Sequence, residues 1–433
     1  MSVTRRDFLS AGLVGITGGV IVPPILAKGV FAAGIEGIHN DRVLVVVQLA
    51  GGNDGLNTVI PYADPAYARA RPTVGVRPQD ALHLDAAVGL NPSLRNLKSL
   101  YDRGAVAIVQ GVGYANPTYS HFENLYVWEY ADPRRAQTDG WLGKLLAGQL
   151  DTHGHPLAGC ALGEASTPPE LRATAATVSV IQSAQAYAVR GGADHEATAR
   201  TLYRSTPGIY GALFDQAMST AEYGMRSVTA TSSRYTPAAE YAQAGATAAP
   251  TSLASALQLS ARMIVTEPSV KICHVVLGGF DTHQAESTKH TALLAELDAA
   301  LGAFLQDITA HGQAHRVVLM TWSEFGRRVA ENGSQGTDHG AAAPLFIMGD
   351  PVHGGLYGEQ PSLTATIDAG NLAHTMDFRS VYQALIRDWL QGDSVAVLGA
   401  SYPDLPFIRT TEAPARHGVA TRYPPTDGIR AGS

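Results

Sequence analysis

Short apolar runs rich in valine, leucine and isoleucine recur along the chain between longer, more polar stretches. They lie at residues 42–49, 105–110, 270–277, 316–321 and 344–348. Runs of this length are too short for globular helices and are typical of strands buried on both faces of a parallel sheet. The pattern therefore predicts an α/β fold in which helices cover the sheet.

Helical patterns occupy several of the stretches between these runs. Residues 291–308 place Leu293, Leu297, Leu301 and Phe304 at three- and four-residue spacing, as in an amphipathic helix. Because this stretch joins two predicted strands, we expect it to be the crossover helix of a βαβ unit. Shorter helices are predicted at 94–101, 123–130 and 380–390.

The segment 151–265 differs in character from the rest of the chain. Alanine, serine, threonine and tyrosine become frequent, helical patterns occur at 196–203 and 238–263, and strand-like runs become rare. The stretch 227–252 is predicted as loop. We therefore expect 151–265 to be a mainly helical insertion or cap over the sheet edge, where it would contribute most to the choice of substrate.

The first 33 residues have the features of a targeting signal. Arg5 and Arg6 precede Asp-Phe-Leu and a glycine-rich apolar run at 11–26, which is too short for a convincing membrane span. Twin arginine followed by Phe-Leu resembles a twin-arginine export signal. The alternative is an ordinary secretory peptide or anchor. We predict a chain exported by the twin-arginine machinery to the periplasm or the medium, with a mature part, 34–433, that has no stable membrane span.

The overall composition is that of a soluble globular protein. The 433 residues are 45% hydrophobic and carry a formal net charge of −7, with scattered lysine and arginine, which argues against nucleic acid as a partner. The 15 histidines fit metal chemistry. Cys160 and Cys273 are far apart in sequence and have no zinc-type spacing, and Cys273 lies in an apolar run, which favours a buried free thiol over a disulfide.

Side chains of the kinds that bind metal lie at the ends of the apolar runs. The candidates are Asp54 after the first run, Asp281 and His283 after the third, Glu324 after the fourth, and Asp338 and His339 before the fifth. Ser120 or His121 could join them. Open α/β sheets place their sites beyond the carboxyl ends of the strands, so these loops are expected to meet. Carboxylates and imidazoles brought together in this way predict a site for one or two divalent metal ions.

Each of these candidates also has an interpretation without metal. Asp54 lies in an Asn-Asp-Gly sequence, which is common in simple turns. Glu324 could form a structural ion pair with Arg327 or Arg328. Asp338 could orient the histidine that follows it without binding metal itself. The metal interpretation rests on the repetition of ligand-type residues at several predicted strand ends.

A hydroxyl and an imidazole occur together before the helix predicted at 123–130. Ser120 and His121 could cap this helix, with Glu123 close by. A hydroxyl at a helix N-terminus beside metal ions could also be a nucleophile, because the helix amides and the metal would both favour its alkoxide. The local sequence alone favours the cap.

A series of spaced motifs, GGNDGLN, YSHFENLYVWE, GWLG, GGFDTHQ, MTWSEFGRR, GTDHG and DFRSVYQALI, spans nearly the whole mature chain. In these motifs the chain resembles the bacterial family called domain of unknown function 1501. That family is itself similar to the alkaline phosphatase/sulfatase superfamily. The resemblance implies an alkaline-phosphatase-like mixed, mostly parallel sheet flanked by helices, with a two-metal site at its edge.

The resemblance also implies roles for particular residues. The matching positions are Asp54 for the aspartate after the first strand, Ser120 or Thr118 for the nucleophile, Asp281 and His283 for ligands after a later strand, and His339 for the ligand before the last core strand. The chain departs from the superfamily in having Ser323-Glu324 where Asp-His is usual, and in a tighter Asp-to-His spacing. His121 could take the place of the nucleophile.

These observations favour an exported metal-dependent hydrolase that acts on a phosphate or sulfate ester of an anionic small molecule or glycan. Zinc, manganese or calcium would polarise the ester oxygens, Ser120 or a water would attack, and Arg327 would help to neutralise the anion. The alternative is a non-catalytic periplasmic protein that retains the fold and binds a glycan or an anion.

Overall fold

The structure is a computed structural model that describes residues 40–148, 157–183 without 175 and 177, 234–242, and 252–409 without 369, with scattered further positions between 155 and 230. The predicted export signal, 1–33, lies outside the described residues, as does nearly all of the helix predicted at 196–203. Among the helices that are described, none combines the length and the hydropathy that crossing a membrane requires.

Strands supply the core of the molecule. In chain order they are β1 (Val43–Leu49), β2 (Val59–Ile60), β3 (Leu82–His83), β4 (Gly89–Leu90), β5 (Val106–Gly113), β6 (Gly159–Leu162), β7 (Ser179–Ile181), β8 (Ile272–Leu277), β9 (Val317–Trp322), β10 (Ala343–Met348), β11 (Gly355–Tyr357) and β12 (Met376–Asp377). All five apolar runs form strands of the main sheet, as predicted.

The main sheet is mixed and mostly parallel. Its strand order is β11-β5-β10-β9-β1-β8-β6-β7, with β12 paired to β5, while β2, β4 and β3 form a small separate sheet. β1 is flanked by β8 and β9, both parallel to it. β10 runs antiparallel to β5 and β9. The expected mixed, mostly parallel sheet is confirmed.

Helices cover both faces of this sheet. They are α1 (Gly55–Thr58), α2 (Pro65–Ala70), α3 (Arg95–Asp102), α4 (His121–Tyr130), α5 (Trp141–Ala147), α6 (Leu253–Thr266), α7 (Glu286–Ala310), α8 (Phe378–Ala384) and α9 (Ser394–Leu398). On one face Val45 of β1 packs in a core with α3, α6 and α7, and on the other face Val46 packs in a core with α4, α5 and α8. The alternation of side chains along a strand divides the two cores.

The crossover helix forms where the leucine spacing predicts it. Leu294, Leu297, Leu301 and Phe304 of α7 are all at most 1% exposed. A fully buried leucine or phenylalanine of this kind stabilises the fold by about 1.5–3 kcal/mol relative to an exposed one. The helix therefore connects β8 to β9 and holds the two loops that follow these strands at one end of the sheet.

The segment 151–265 contributes more to the sheet than its composition predicted. It supplies β6 and β7, which extend the main sheet beyond β8. Gly-Cys-Ala-Leu and Ser-Val-Ile, of 4 and 3 residues, are too short to show a strand pattern. The helix predicted at 238–263 begins only at Leu253, and Tyr241 before it donates a hydrogen bond to Asp307 of α7. The described part of this segment thus belongs largely to the core.

Candidate metal centre

Three imidazoles and one carboxylate converge beyond the carboxyl ends of the central strands. Nε2 of His283 and Nε2 of His339 lie 2.9 Å apart. Oδ1 of Asp281 is 3.1 Å from the first and 3.2 Å from the second. Nε2 of His121 is 3.7 Å from Oδ2 of the same carboxylate. Four possible metal-binding side chains therefore face one small volume.

These side chains come from loops that the sheet topology brings together. Asp281 and His283 follow β8, His121 is the first residue of α4, and His339 precedes β10. β10 is antiparallel to β9, so its beginning lies at the same end as the carboxyl ends of β1, β8 and β9. The site is accessible from solvent, since the side chains of Asp281 and His283 are 48% and 42% exposed.

Each imidazole is held from behind by an acceptor at Nδ1. The acceptors are Glu324 Oε1, 2.8 Å from Nδ1 of His121, Asp338 Oδ1, 3.2 Å from Nδ1 of His283, and the Tyr119 carbonyl oxygen, 2.8 Å from Nδ1 of His339. In a neutral ring, an N–H donated from Nδ1 leaves a lone pair on Nε2. All three Nε2 lone pairs then point toward Asp281. Histidine ligands in metal sites are oriented in the same way, by an acceptor at the ring nitrogen that does not bind the metal.

The neighbours of Asp281 keep its carboxylate ionised. Partial burial alone would raise the pKa of Asp281, but the hydrogen bond and the positive charge of Arg327 hold it below its ordinary value. The hydrogen bond to Glu324 raises the pKa of His121, whereas burial lowers that of His339. The carboxylate is thus ionised at neutral pH, and a cation that binds would displace any proton from His121.

Glu324 and Asp338 each accept a hydrogen bond from Nδ1 of one histidine in the cluster. Glu324 is 2% exposed and also accepts a hydrogen bond from the Gly51 amide at 2.8 Å, so it pairs with His121 rather than with an arginine. Asp338 contacts His283 and not the histidine that follows it in sequence, and Nδ2 of Asn332 donates to it at 3.0 Å. Both carboxylates orient histidines, although the sequence had placed them among the metal ligands.

Arg327, expected to neutralise a substrate anion, is enclosed by the site loops instead. Its side chain is 0% exposed and donates to Asp281 at 2.9 Å. Its remaining contacts are with backbone carbonyls of the surrounding loops, namely Gly51, Gly52, Phe280 and Thr337. An arginine so placed joins the loops and cannot extend toward a ligand in the open part of the site.

Asp54 lies outside the cluster, in a buried ion pair with Arg71. Its carboxylate also accepts a hydrogen bond from the Leu56 amide at 3.2 Å and caps α1. Burial would raise the pKa of Asp54, but Arg71 holds it well below the ordinary range. The turn that follows β1 directs this side chain inward, so the position matched to a metal aspartate has a structural role here.

The hydroxyl candidates lie immediately before His121. Ser120 precedes α4, and its side chain makes no capping hydrogen bond to the helix amides, contrary to the preferred local interpretation. The Thr118 hydroxyl accepts a hydrogen bond from Asn124 Nδ2 at 2.9 Å. Of the two, the Ser120 hydroxyl is therefore the one not committed to the helix start.

A family model described as "Protein of unknown function (DUF1501)" matches residues 107–384, which is more than half of the chain. The chain belongs to this family. The matched range contains all four converging residues and the side chains that orient them. None of the curated proteins that were compared matches the chain.

Several solved structures are similar at low identity. A protein in the alkaline phosphatase superfamily from Vibrio parahaemolyticus has 10% identity and a TM-score of 0.37, covering 87% of this chain and 74% of that chain. The phosphonate monoester hydrolase of Agrobacterium radiobacter has 11% identity and a TM-score of 0.37, covering 83% and 78%. The C-terminal periplasmic domain of EcEptC from Escherichia coli, in complex with zinc, has 9% identity and a TM-score of 0.35, covering 73% and 75%. Likenesses this distant say nothing about the reaction of this chain.

Two parts of the site had no signal in the sequence. The Tyr119 carbonyl holds His339, and no residue type predicts the use of a backbone oxygen. Glu286 and Arg71 surround Asp54 in the interior, and they come from α7 and from the end of α2. The motif around Ser120 did identify His121, both as a catalytic candidate and as a residue that could join the metal ligands.

Proposed function

We propose that this DUF1501 protein is a metal-dependent hydrolase of phosphate or sulfate esters, with one divalent cation held by His121, Asp281, His283 and His339. One observation carries the proposal. Nε2 of His283, Nε2 of His339 and Oδ1 of Asp281 are within 3.2 Å of one another, and the rings donate from Nδ1. Three lone pairs in mutual contact repel unless a proton or a metal ion lies between them, and a metal ion would satisfy all three at once.

The donor set also bears on which metal fits. Three imidazoles and one carboxylate favour zinc over calcium, which prefers oxygen ligands, with manganese as the next candidate. One ligand atom from each of His121, Asp281 and His339 lies within 4.8 Å of the other two. Asp54, the carboxylate expected to help hold a second ion, is paired with Arg71. We therefore propose one ion rather than two.

The chain's own residues would perform the remaining tasks. A bound divalent cation supplies Lewis-acid activation of an ester oxygen. Ser120, next to His121 and free of a capping role, is the proposed nucleophile, in keeping with the motif resemblance to the alkaline phosphatase/sulfatase superfamily. Glu324 and Asp338 keep two of the rings oriented, and Arg327 keeps Asp281 in place.

The test is metal content together with turnover. Wild type purified without a metal-affinity tag is expected to contain close to one zinc or manganese per chain by mass spectrometry. It is also expected to hydrolyse p-nitrophenyl phosphate or p-nitrophenyl sulfate. His283→Ala and His339→Ala should lose the metal and the turnover, because each removes a ligand. His83→Ala, an exposed histidine stacked on Tyr62, is the matched control and should change neither.

The outcomes of this test distinguish the hydrolase from a second candidate function. Absence of metal from wild type, even after reconstitution with zinc, manganese and calcium, contradicts the hydrolase proposal. A second candidate, a non-catalytic periplasmic protein that binds a glycan or an anion, is favoured by the enclosure of Asp54 and Arg327, which two-metal hydrolysis would use. Stoichiometric metal without turnover of any ester would support it.

We also propose that the chain reaches the periplasm or the medium through the twin-arginine machinery. The support is Arg5 and Arg6 in the N-terminal segment, followed by an apolar run. A metal bound before export fits this route, because the machinery carries proteins that are already folded.

A further inference from the structure

A row of aromatic side chains lines the solvent side of helix α4, the helix that begins at the metal centre with His121. Phe122, Tyr126 and Tyr130 lie four residues apart, a spacing that places side chains on one face of a helix. Phe122 is 87% exposed, and the half-buried rings of Tyr126 and Tyr130 stack with their centroids 4.3 Å apart. At about 1.5 Å per residue, the row extends for about 12 Å from the helix start.

Exposed apolar side chains of this size are rare in the part of the chain that the structure describes. The large hydrophobic residues exposed there are Phe122, Tyr223 and Val395. Phe122 directly follows His121, and Val395 belongs to α9, whose last two residues line a cavity beyond Tyr130. Apolar side chains that continue one another along a surface, unlike scattered ones, are typical of a surface that binds a ligand.

The aromatic row ends at this cavity, which has a volume of about 400 Å³. Tyr130 belongs both to the row and to the cavity wall, so the two form one continuous surface. Three cationic side chains line the cavity, namely Arg134, Lys144 and Arg379, and Asp132 is the one acidic side chain among the described residues of its wall. The cavity therefore favours a negatively charged group.

Arg134 is the cation best placed to bind such a group. Its side chain is 85% exposed, and its Nε lies 3.6 Å from Oδ1 of Asp132, which is longer than a hydrogen bond. The other two cations have closer partners, since Lys144 donates to the Val397 carbonyl at 3.0 Å and Arg379 pairs with an aspartate at 2.6 Å. The guanidinium of Arg134 is thus exposed at the wall of the cavity.

The shape of the row indicates a slender ligand. An exposed ion pair borders it, in which Arg135 Nη1 lies 2.6 Å from Glu123 Oε1. The cores of protein interfaces are depleted in charged residues, so a narrow row beside an ion pair fits a single extended chain better than a folded partner. A sugar ring has a face of C–H groups and an edge of hydroxyls, which match the apolar body and polar tip of a tyrosine. An acidic polysaccharide combines such rings with the negative charge that the cavity favours.

We propose that the exposed face of α4 and the cavity at its C-terminal end bind an acidic polysaccharide. Its sugar rings pack on Phe122, Tyr126 and Tyr130, and one of its anionic groups lies at Arg134. The inference rests on the proposed function in one respect, namely that the ester at the metal centre then belongs to the same polysaccharide. The metal centre acts on one ester, and the aromatic row holds the chain beyond it.

The test is isothermal titration calorimetry on the full chain, in metal-free and in zinc-reconstituted form. The probes are chondroitin sulfate, which carries sulfate and carboxylate groups, hyaluronan, which carries carboxylates alone, and dextran, which is neutral. Phe122→Ala is expected to weaken binding of the preferred acidic probe by about fivefold or more, because an aromatic contact is lost. Phe122→Tyr keeps the ring and is the matched control, which should bind as wild type does.

A second pair of variants tests the charge. Arg134→Ala is expected to weaken binding of the acidic probe by about twofold or more at low ionic strength, and by less at high ionic strength, because exposed charges are screened by salt. Arg103→Ala, at an exposed arginine just after α3, is the matched control and should bind as wild type does. Both replaced side chains are exposed, so the variants are expected to fold.

Several results overturn the inference. They are no binding of either acidic probe by wild type, unchanged affinity in Phe122→Ala, and dextran binding as tight as that of the acidic probes. Dimerisation of wild type that is lost in Phe122→Ala, measured by size-exclusion chromatography with light scattering, would assign the row to a second copy of the chain instead.

The binding assay needs no turnover, so its result is independent of the hydrolase proposal. Phe122-dependent binding of an acidic probe by a protein that never retains metal would uphold the inference and contradict the hydrolase. Stoichiometric metal and turnover of p-nitrophenyl esters without binding of either acidic probe would uphold the hydrolase and contradict the inference.

Discussion

At the scale of single residues, two adjacent arginines have opposite roles because consecutive side chains of an extended segment point to opposite sides. Arg327 points inward, where its guanidinium binds four loop carbonyls and Asp281. Arg328 points toward the side of Asp338, and its Nε has no partner within the described chain. The first arginine therefore holds the loops together, and the second does not.

Replacing Arg327 by methionine is therefore expected to destabilise the protein by at least about 1–3 kcal/mol, the usual effect of leaving a buried polar group without its partner. The loop carbonyls and Asp281 would lose their common donor. Urea denaturation followed by circular dichroism measures the change. Arg328→Met is the matched control and should change the free energy of unfolding by less than about 1 kcal/mol. Equal stability of the two variants would contradict the structural role of Arg327.

The contacts of single residues also explain the main departure of this chain from the motif pattern of the alkaline phosphatase/sulfatase superfamily. Ser323-Glu324 stands where Asp-His is usual, so a histidine ligand is missing from the loop after β9. Glu324 instead accepts the Nδ1 hydrogen of His121, at 2.8 Å, and so orients an imidazole that comes from the start of α4. One imidazole is thus retained at the site, but a different element supplies it.

At the scale of elements, the start of α7 is built into a buried polar cluster behind the metal centre. Glu286, its first residue, is 0% exposed and accepts hydrogen bonds from Asn57 and Thr337. Burial, together with the neighbouring charge of Asp54, raises the pKa of Glu286 to about 9. Burial also lowers the pKa of His290, one turn further along, to about 4. The helix start therefore holds a protonated carboxyl and a neutral imidazole at neutral pH.

This cluster predicts a pH dependence of stability. In the unfolded chain Glu286 ionises near its ordinary value of 4.5, whereas in the folded chain it keeps its proton up to about pH 9. The folded state then binds more protons within that window, so stability is greatest below pH 4.5 for this group and falls as pH rises through the window. Glu286→Gln, which is neutral at every pH, should flatten this decline.

The measurement is the urea midpoint of wild type and Glu286→Gln at several pH values between 5 and 9. Glu359→Gln, at an exposed glutamate, is the matched control and should follow wild type. Parallel curves for Glu286→Gln and wild type would show that Glu286 ionises alike in both states.

At the scale of the whole molecule, the sheet joins distant parts of the chain around one centre. β1 lies between β8 and β9, although it precedes the family match at 107–384. The loop after β1 supplies Gly51 and Gly52, whose carbonyls bind Arg327. The centre therefore depends on residues outside the family match.

The proposed export concerns the whole chain and predicts where the protein is found. Replacing both Arg5 and Arg6 by lysine should retain the protein in the cytoplasm of a bacterial host, because the twin arginines are the recognised feature of the signal. Immunoblots of cytoplasmic and periplasmic fractions measure this, with Arg95→Lys at an exposed arginine as the control. Unchanged export of the double variant would point to the alternative, an ordinary secretory peptide or anchor.

The sequence alone was sufficient for the elements with strong patterns. Apolar runs predicted β1, β5, β8, β9 and β10, because strands buried on both faces need apolar residues at nearly every position. The leucine spacing predicted α7, because a helix that packs against a sheet needs apolar residues at three- and four-residue spacing. β6 and β7 escaped prediction, since strands of only 4 and 3 residues are too short to show a pattern, and it is their pairing that places them in the sheet, β7 with β6 and β6 with β8.

The sequence by itself determined which residue types lie at the strand ends, and hence that Asp281, His283 and His339 would be near one another. Only the tertiary structure decided that Asp54 turns inward to Arg71, that Glu324 and Asp338 orient histidines, and that loop carbonyls enclose Arg327. The physical reason is that strand burial is a local pattern, whereas the direction of a loop side chain depends on which partners other loops bring to it.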